Sequence, residues 1–130
     1  MRNRNVGIIG VGHYTPNKIQ TNEELCELIP ELSVDWILNK TGIKKRHHIS
    51  DDETASSIAV KACESAFYNS EVLPEEVDLV IVASFSQDYL FPPLSAKIHL
   101  HFNLKKNCQI IDVNTNCVGL VTALTIASER

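Results

Sequence analysis

Val6 to Val11 opens the chain with a nearly unbroken apolar run, Val-Gly-Ile-Ile-Gly-Val, closed by Gly12 and the turn His13-Tyr14-Thr15-Pro16-Asn17. A run without polar alternation predicts a strand covered on both faces. Val77–Ala83, bounded by Pro74 and Ser84, and Gln109–Val113 read the same way, the first of them as a central parallel strand. Between these runs the apolar positions fall into a helical period. Thr21-Asn22-Glu23-Glu24 is a capping box, after which Leu25, Leu28 and Ile29 share a face until Pro30 stops the helix. Ser33 is placed to cap a second short helix holding Asp35, Trp36, Ile37 and Lys40, with Gly42 as its left-handed terminus. Ser50-Asp51-Asp52-Glu53 offers a cap and acidic first-turn charges to a third helix, whose stripe is Ala55, Ile58, Ala59, Ala62, Cys63, Ala66 and Phe67. Small residues dominate that stripe, which predicts close packing against a neighbour.

A fourth helix is predicted from about Leu94 to Phe102, after the loop Ser84–Pro93, where Phe85, Tyr89 and Phe91 are interleaved with Pro92 and Pro93. Aromatics on such a loop point to an interface or a ligand wall. The last segment, from Cys117 through Val118–Ala127, is apolar nearly all round, as a helix covered on every side would be. Three strands within 130 residues are too few to cover it, which predicts more protein beside it, from the same chain or a partner. Strands alternating with helices give an α/β fold with a mostly parallel sheet, and the length fits one domain, with no internal repeat visible. Gly7, Gly10 and Gly12 do not make a dinucleotide fingerprint: counted from Gly10, the third glycine position is Thr15, and Pro16 falls where the phosphate-binding helix should be under way.

Composition changes this picture little. Hydrophobic residues make up 44% and charged residues 22%, an ordinary globular balance. A net charge of −4 argues against a dedicated nucleic-acid binder. No segment approaches the length of a membrane span and the N-terminus lacks a signal-peptide core, so a cytoplasmic protein without membrane association is expected. The charge is uneven: residues 1–50 carry 7 Lys/Arg against 5 Asp/Glu, and the cations gather at Lys40, Lys44, Lys45 and Arg46, beside His47 and His48. That run reads either as a solvated loop or as a local anion site.

Cys26, Cys63, Cys108 and Cys117 are far apart with no Cys-x-x-Cys, as reduced thiols are, and neither a disulfide framework nor a zinc site is expected. Cys117 stands apart because it follows a predicted strand at a strand-to-helix turn. A helix N-terminus favours thiolate over thiol and presents N–H groups to an oxyanion. Position alone leaves the alternative of a small buried hydrophobe open.

Several segments, in order and at matching spacing, resemble the N-terminal half of β-ketoacyl-acyl-carrier-protein synthase III, a condensing enzyme of the thiolase superfamily. They are Ile8–Gly12 through Pro16 to Thr21–Leu25; Asp35-Trp36-Ile37 with Lys40-Thr41-Gly42-Ile43 through Arg46-His47; Glu53-Thr54; Asp78–Ala83; Phe91-Pro92; and Asp112-Val113 through Asn116-Cys117-Val118-Gly119. The tryptophan segment coupled to the later cysteine segment is the specific part. The resemblance implies the first half of a thiolase-like α/β/α/β/α layered sandwich, with residues 1–130 as an N-terminal domain ending inside the nucleophile helix. It implies that Cys117 is the acyl-accepting nucleophile, that Trp36 stacks on the adenine of coenzyme A, that Lys40 lies by the nucleotide phosphates, and that Phe91 reaches across a homodimer to wall the partner's acyl pocket. The implied partners are acyl-CoA, as substrate and not as a resident cofactor, and acyl carrier protein. The implied reaction is a decarboxylating Claisen condensation in fatty acid biosynthesis. The family's catalytic histidine and asparagine belong to the second half, and none of His13, His47, His48, His99 or His101 matches that histidine; alone, the chain is expected to be inactive.

Two departures stand out. Asn114, Thr115 and Asn116 precede the cysteine where the family usually has small residues, and Lys40 replaces the more frequent arginine, giving up a planar fork for phosphate oxygens. They keep two other functions in view: a non-catalytic acyl-CoA-binding or partner subunit, and a specialised-metabolite acyltransferase with a different acceptor.

Overall fold

The computed structural model describes residues 6–130, which form two compact units: residues up to Tyr14 together with Thr54–Arg130, and Thr15–Glu53.

The smaller unit is built on a polar ladder. Strand β1 (Lys18–Thr21) leads directly into helix α1 (Asn22–Leu28); helix α2 (Val34–Thr41) follows, and strand β2 (Lys45–His48) returns antiparallel to β1, with Thr21 opposite Lys45 and Lys18 opposite His48. The capping box at α1 is as expected: Thr21 Oγ1 accepts from Glu24 N, and the Glu24 carboxylate accepts from Thr21 N at 2.9 Å. So is the frame of α2. Ser33 Oγ accepts from Trp36 N at 3.2 Å, and Gly42 takes φ 70° while its N–H donates to Leu38 O at 2.8 Å. Thr41 stitches this end to the next segment, its hydroxyl donating to Ile37 O and accepting from Ile43 N. Ile43 O in turn accepts from Asn22 Nδ2 at 2.8 Å, and Asn22 is buried. The Thr-Gly-Ile stretch therefore joins α2 to the start of α1.

The basic run is not one loop. Lys40 belongs to α2 and Lys45–His48 to β2, where Arg46 is turned onto its neighbour, donating to Thr21 O at 3.0 Å and to the Asn22 side-chain oxygen, while His47 Nδ1 lies 2.6 Å from Pro16 O. With Lys18, Ile19, Gln20 and Thr21 facing His48, His47, Arg46 and Lys45, Ile19 is the one apolar residue of this ladder and no apolar period marks it, which is why the sequence hides it.

The larger unit contains a β–α–β crossover. Helix α3 (Ala55–Ser70) and a 3₁₀ turn (Pro74–Glu76) precede strand β3 (Leu79–Ala83), helix α4 (Leu94–His101) and strand β4 (Gln109–Val113), which pairs parallel to β3 with Leu79 opposite Gln109 and Ala83 opposite Val113. Helix α5 (Gly119–Ser128) closes the chain and packs on β3 and β4. Leu94, Ile98, Leu104 and Cys108 are buried around α4 and the start of β4. The described residues thus contain one parallel pair, β3 with β4, and one antiparallel pair, β1 with β2.

Two local expectations are corrected. Residues 6–11 form no ladder, and Val6, Ile8, Ile9 and Val11 are exposed. A strand buried on both faces needs neighbours at its edges, whereas this run lies along α3. A Cβ on Gly12 would come within 2.1 Å of Ala66 N and 2.4 Å of Ala62 O, one on Gly10 within 2.3 Å of Ser70 Cβ, and Asn69 Nδ2 donates to Val11 O at 2.8 Å. The small stripe of α3 does pack closely, and its partner is this glycine-rich segment. The cap of α3 is Thr54, not Ser50: Thr54 Oγ1 accepts from Ser57 N at 3.2 Å and Ser57 Oγ from Thr54 N at 2.8 Å. Ser50–Glu53 forms its own turn, with Glu53 N donating to Ser50 O and the Glu53 carboxylate accepting from Ser50 N.

Candidate active site

β4 ends at Val113, and the chain turns through Asn114, Thr115 and Asn116 into the 3₁₀ segment Asn116–Val118 before α5 begins. Cys117 therefore sits in a tight turn two residues ahead of the helix, not in its first residue. Asn116 makes the turn with φ 51°, a left-handed conformation that asparagine tolerates better than most residues. Val118 N donates to Thr115 O at 3.3 Å, Thr115 Oγ1 donates to Thr122 Oγ1 at 3.4 Å, and Thr122 Oγ1 donates to Val118 O at 3.1 Å. These bonds bind the turn to the first turns of α5. Gly119 is buried, and a Cβ there would lie 3.0 Å from Ala83 Cβ, so glycine lets α5 start against the carboxyl end of β3. The cysteine is thereby held at the carboxyl end of a parallel pair, the usual place for ligands in open α/β sheets.

Cys117 is exposed and its thiol is free. Two of the other thiols have different surroundings. Burial pushes the Cys63 thiol up, helped by the neighbouring Glu64 carboxylate. Burial also pushes up Cys108, which packs in the core. Both shifts disfavour the thiolate, the reactive form.

Phe91 lies in the loop between β3 and α4, with Leu90 and Phe91 almost wholly exposed at 92% and 86%. Trp36 and Lys40 belong to the smaller unit, four residues apart on α2, where such spacing puts them on one face, and both are exposed. The structure brings Trp36 and Lys40 together, and it places Cys117 and Phe91 within the larger unit. Among the described residues no group of three or more His, Cys, Asp or Glu side chains is arranged to hold a metal ion. No helix there is long and apolar enough to cross a membrane.

Two carboxylates escaped the reading of the sequence. Asp112, on β4, accepts from Leu94 N at 2.8 Å and Ser95 N at 3.0 Å, capping α4, whose own N-cap position is Pro93 and supplies no side chain. Asp88, in the loop, accepts from Ser56 N at 3.2 Å, from Ser56 Oγ and from Lys97 Nζ at 2.8 Å. A lone aspartate within the apolar run Gln-Ile-Ile-Asp-Val was the one available signal for the first; Asp88 carried none.

Comparison with known proteins gives this geometry a context. No family model matches the chain. The β-ketoacyl-acyl-carrier-protein synthase III of Clostridium acetobutylicum is 40% identical over 124 residues, covering 95% of this chain and 37% of that protein. The chain is homologous to part of β-ketoacyl-acyl-carrier-protein synthase III. It spans little more than a third of the length of the curated synthases III it matches. The crystal structure of 3-oxoacyl-acyl-carrier-protein synthase III from Aquifex aeolicus superposes with a TM-score of 0.86 at 32% identity, covering 94% of this chain and 39% of that one. A priming β-ketosynthase from a polyketide biosynthetic pathway does so with a TM-score of 0.86 at 34% identity, covering 94% and 36%. The fold is therefore the α/β fold of part of a thiolase-like synthase III, and the resemblance read from the motifs holds along almost the whole chain.

Proposed function

We propose that this chain is the N-terminal part of a synthase III-type condensing enzyme and that Cys117 is its nucleophile. In this reading the Cys117 thiolate attacks the carbonyl of an acyl-CoA. A carbon–sulfur bond forms to the enzyme and the coenzyme A thiolate leaves. Malonyl-acyl-carrier-protein then loses carbon dioxide, and the resulting carbanion attacks the acyl-cysteine, expelling the cysteine thiolate and forming the new carbon–carbon bond. Trp36 offers an indole face to the adenine and Lys40 a cation to the phosphates. Phe91 walls the acyl pocket of a second copy in a homodimer. A histidine and an asparagine from outside this chain stabilise the developing oxyanion, so the chain by itself does not turn over. Coenzyme A is substrate, no resident cofactor is needed, and the enzyme works in the cytoplasm.

The observation that carries this reading is the exposure of Cys117 in a braced strand-to-helix turn, in a chain 40% identical to a synthase III, while burial pushes the Cys63 and Cys108 thiols up. The test is intact-mass spectrometry of the full-length protein incubated with acyl-CoA. The expected result is one added acyl group mapped to Cys117 and absent from Cys117→Ala. Binding without acylation would instead favour the non-catalytic acyl-CoA-binding subunit.

A second acceptor is kept in view by two observations. The polar Asn114-Thr115-Asn116 turn sits beside the cysteine, and a polyketide priming synthase superposes as well as the Aquifex enzyme does. Acyl-Cys117 formed normally but left undischarged by malonyl-acyl-carrier-protein would point to a different acceptor.

A further inference from the structure

We propose that Asp88 is the positioning residue for the loop that carries Phe91, and that through it the protein sets which acyl chains its site accepts. The inference rests on the reading of Phe91 as a pocket wall. Residues 84–93 present Phe85, Tyr89, Leu90 and Phe91 to solvent, side chains that water would drive together on an unrestrained loop. Asp88 supplies the restraint. Its side chain is only 9% exposed and takes hydrogen bonds from both the amide and the hydroxyl of Ser56, in the first turn of α3, and an ion pair from Lys97 on α4 at 2.8 Å. Lys97 also lies over the ring of Tyr89, 4.4 Å from its centroid. On the other side of Phe91, Asp112 holds Leu94 N and Ser95 N. Only residues 89–93 lie between the two fixed points, and two of them are prolines with restricted φ. Phe91 is thus carried on a five-residue span fastened at both ends, to α3 and α4 by Asp88 and to β4 by Asp112.

A ring that walls a pocket discriminates chain length only if it is held still, because a hydrophobic pocket separates substrates through the space it denies them. Releasing Asp88 should therefore alter selectivity before it alters the thiol.

The experiment compares Asp88→Ala and Asp88→Asn with wild type in the full-length protein. The first readout is the ratio of kcat/KM for acetyl-CoA and octanoyl-CoA, expected to change by roughly fivefold or more in Asp88→Ala and by less in Asp88→Asn, which keeps an acceptor for Ser56 N. The second is hydrogen exchange of the amides of residues 84–93, expected to speed up by about tenfold in Asp88→Ala. Cys117 alkylation by iodoacetamide serves as the control. An unchanged ratio in a folded Asp88→Ala protein, or unchanged loop exchange, overturns the proposal. If wild type transfers no acyl group from either substrate, the functional reading fails, and loop exchange still decides whether Asp88 positions the loop. Should Asp88→Ala not fold, Lys97→Met and Ser56→Ala each remove part of the same clamp, and faster loop exchange is expected in both; its absence in both overturns the proposal.

Discussion

Among the four cysteines, Cys63, Cys108 and Cys117 differ in their surroundings rather than in residue type. Cys63 and Cys108 have their thiols raised by burial, while Cys117 lies exposed in its turn. Iodoacetamide at neutral pH, followed by peptide mapping of the folded full-length protein, is expected to label Cys117 first and to leave Cys63 and Cys108 largely unlabelled until denaturant is added. At this scale the sequence marks places rather than roles. Cys117 stands out because it follows a strand and precedes a helix, whereas Trp36 and Lys40 are singled out only by the resemblance to synthase III, and the cap and terminal glycine locate no more than the helix that carries them. It was illegible where a residue acts through distant backbone. Asp112 meets Leu94 and Ser95 across 18 and 17 positions, and Asp88 meets Ser56 across 32, so no local pattern could announce them.

Helix ends were the most readable elements, since a cap is a short-range hydrogen bond encoded by a few neighbouring side chains. Thr21, Ser33 and Gly42 are found where the pattern puts them. α3 was displaced because two cap-competent stretches, Ser50–Glu53 and Thr54–Ser57, stand side by side, and the second takes the helix. The strands divide by environment: β3 and β4 announce themselves by apolar runs, whereas β1 and β2 are polar. The run at 6–11 has the composition of a buried strand but packs its glycines against α3. At the junction of elements, Gly119 is the sharpest constraint. Gly119→Val places a branched side chain where a Cβ alone would stand 3.0 Å from Ala83 Cβ. The expected cost is about 1–3 kcal/mol in a denaturant melt of the full-length protein, with Ala83→Gly in the same background recovering part of it.

For the molecule as a whole, stability toward acid has an identifiable contributor. Burial alone would raise the Asp88 carboxyl, but the Lys97 ammonium and the Ser56 hydroxyl and amide outweigh it and hold the group down to about 2. Because its folded value lies below the ordinary 3.8, the stabilisation is complete above about pH 4 and is lost as pH falls toward 2. Unfolding free energies measured from pH 5 down to pH 2 should show wild type ahead of Asp88→Asn by on the order of 2 kcal/mol at the upper end, with the gap closing as acid is added. The groups that hold it come from two elements, the Ser56 hydroxyl and amide from α3 and the Lys97 side chain from α4. The same scale holds what the sequence read as a helix needing cover, since Leu120 and Val121 of α5 stand 69% and 65% exposed, and Val121 lines a groove with Val6, Gly7, Ile8 and Leu124.

The stitch at Thr41, Gly42 and Ile43 has a mechanical consequence. Because Ile43 O holds the Asn22 amide and Asn22 accepts from Arg46, the far end of α2 is bolted through one buried side chain to both strands of the polar ladder. The helix that displays the indole and the ammonium is accordingly braced at that end rather than hung as a flap.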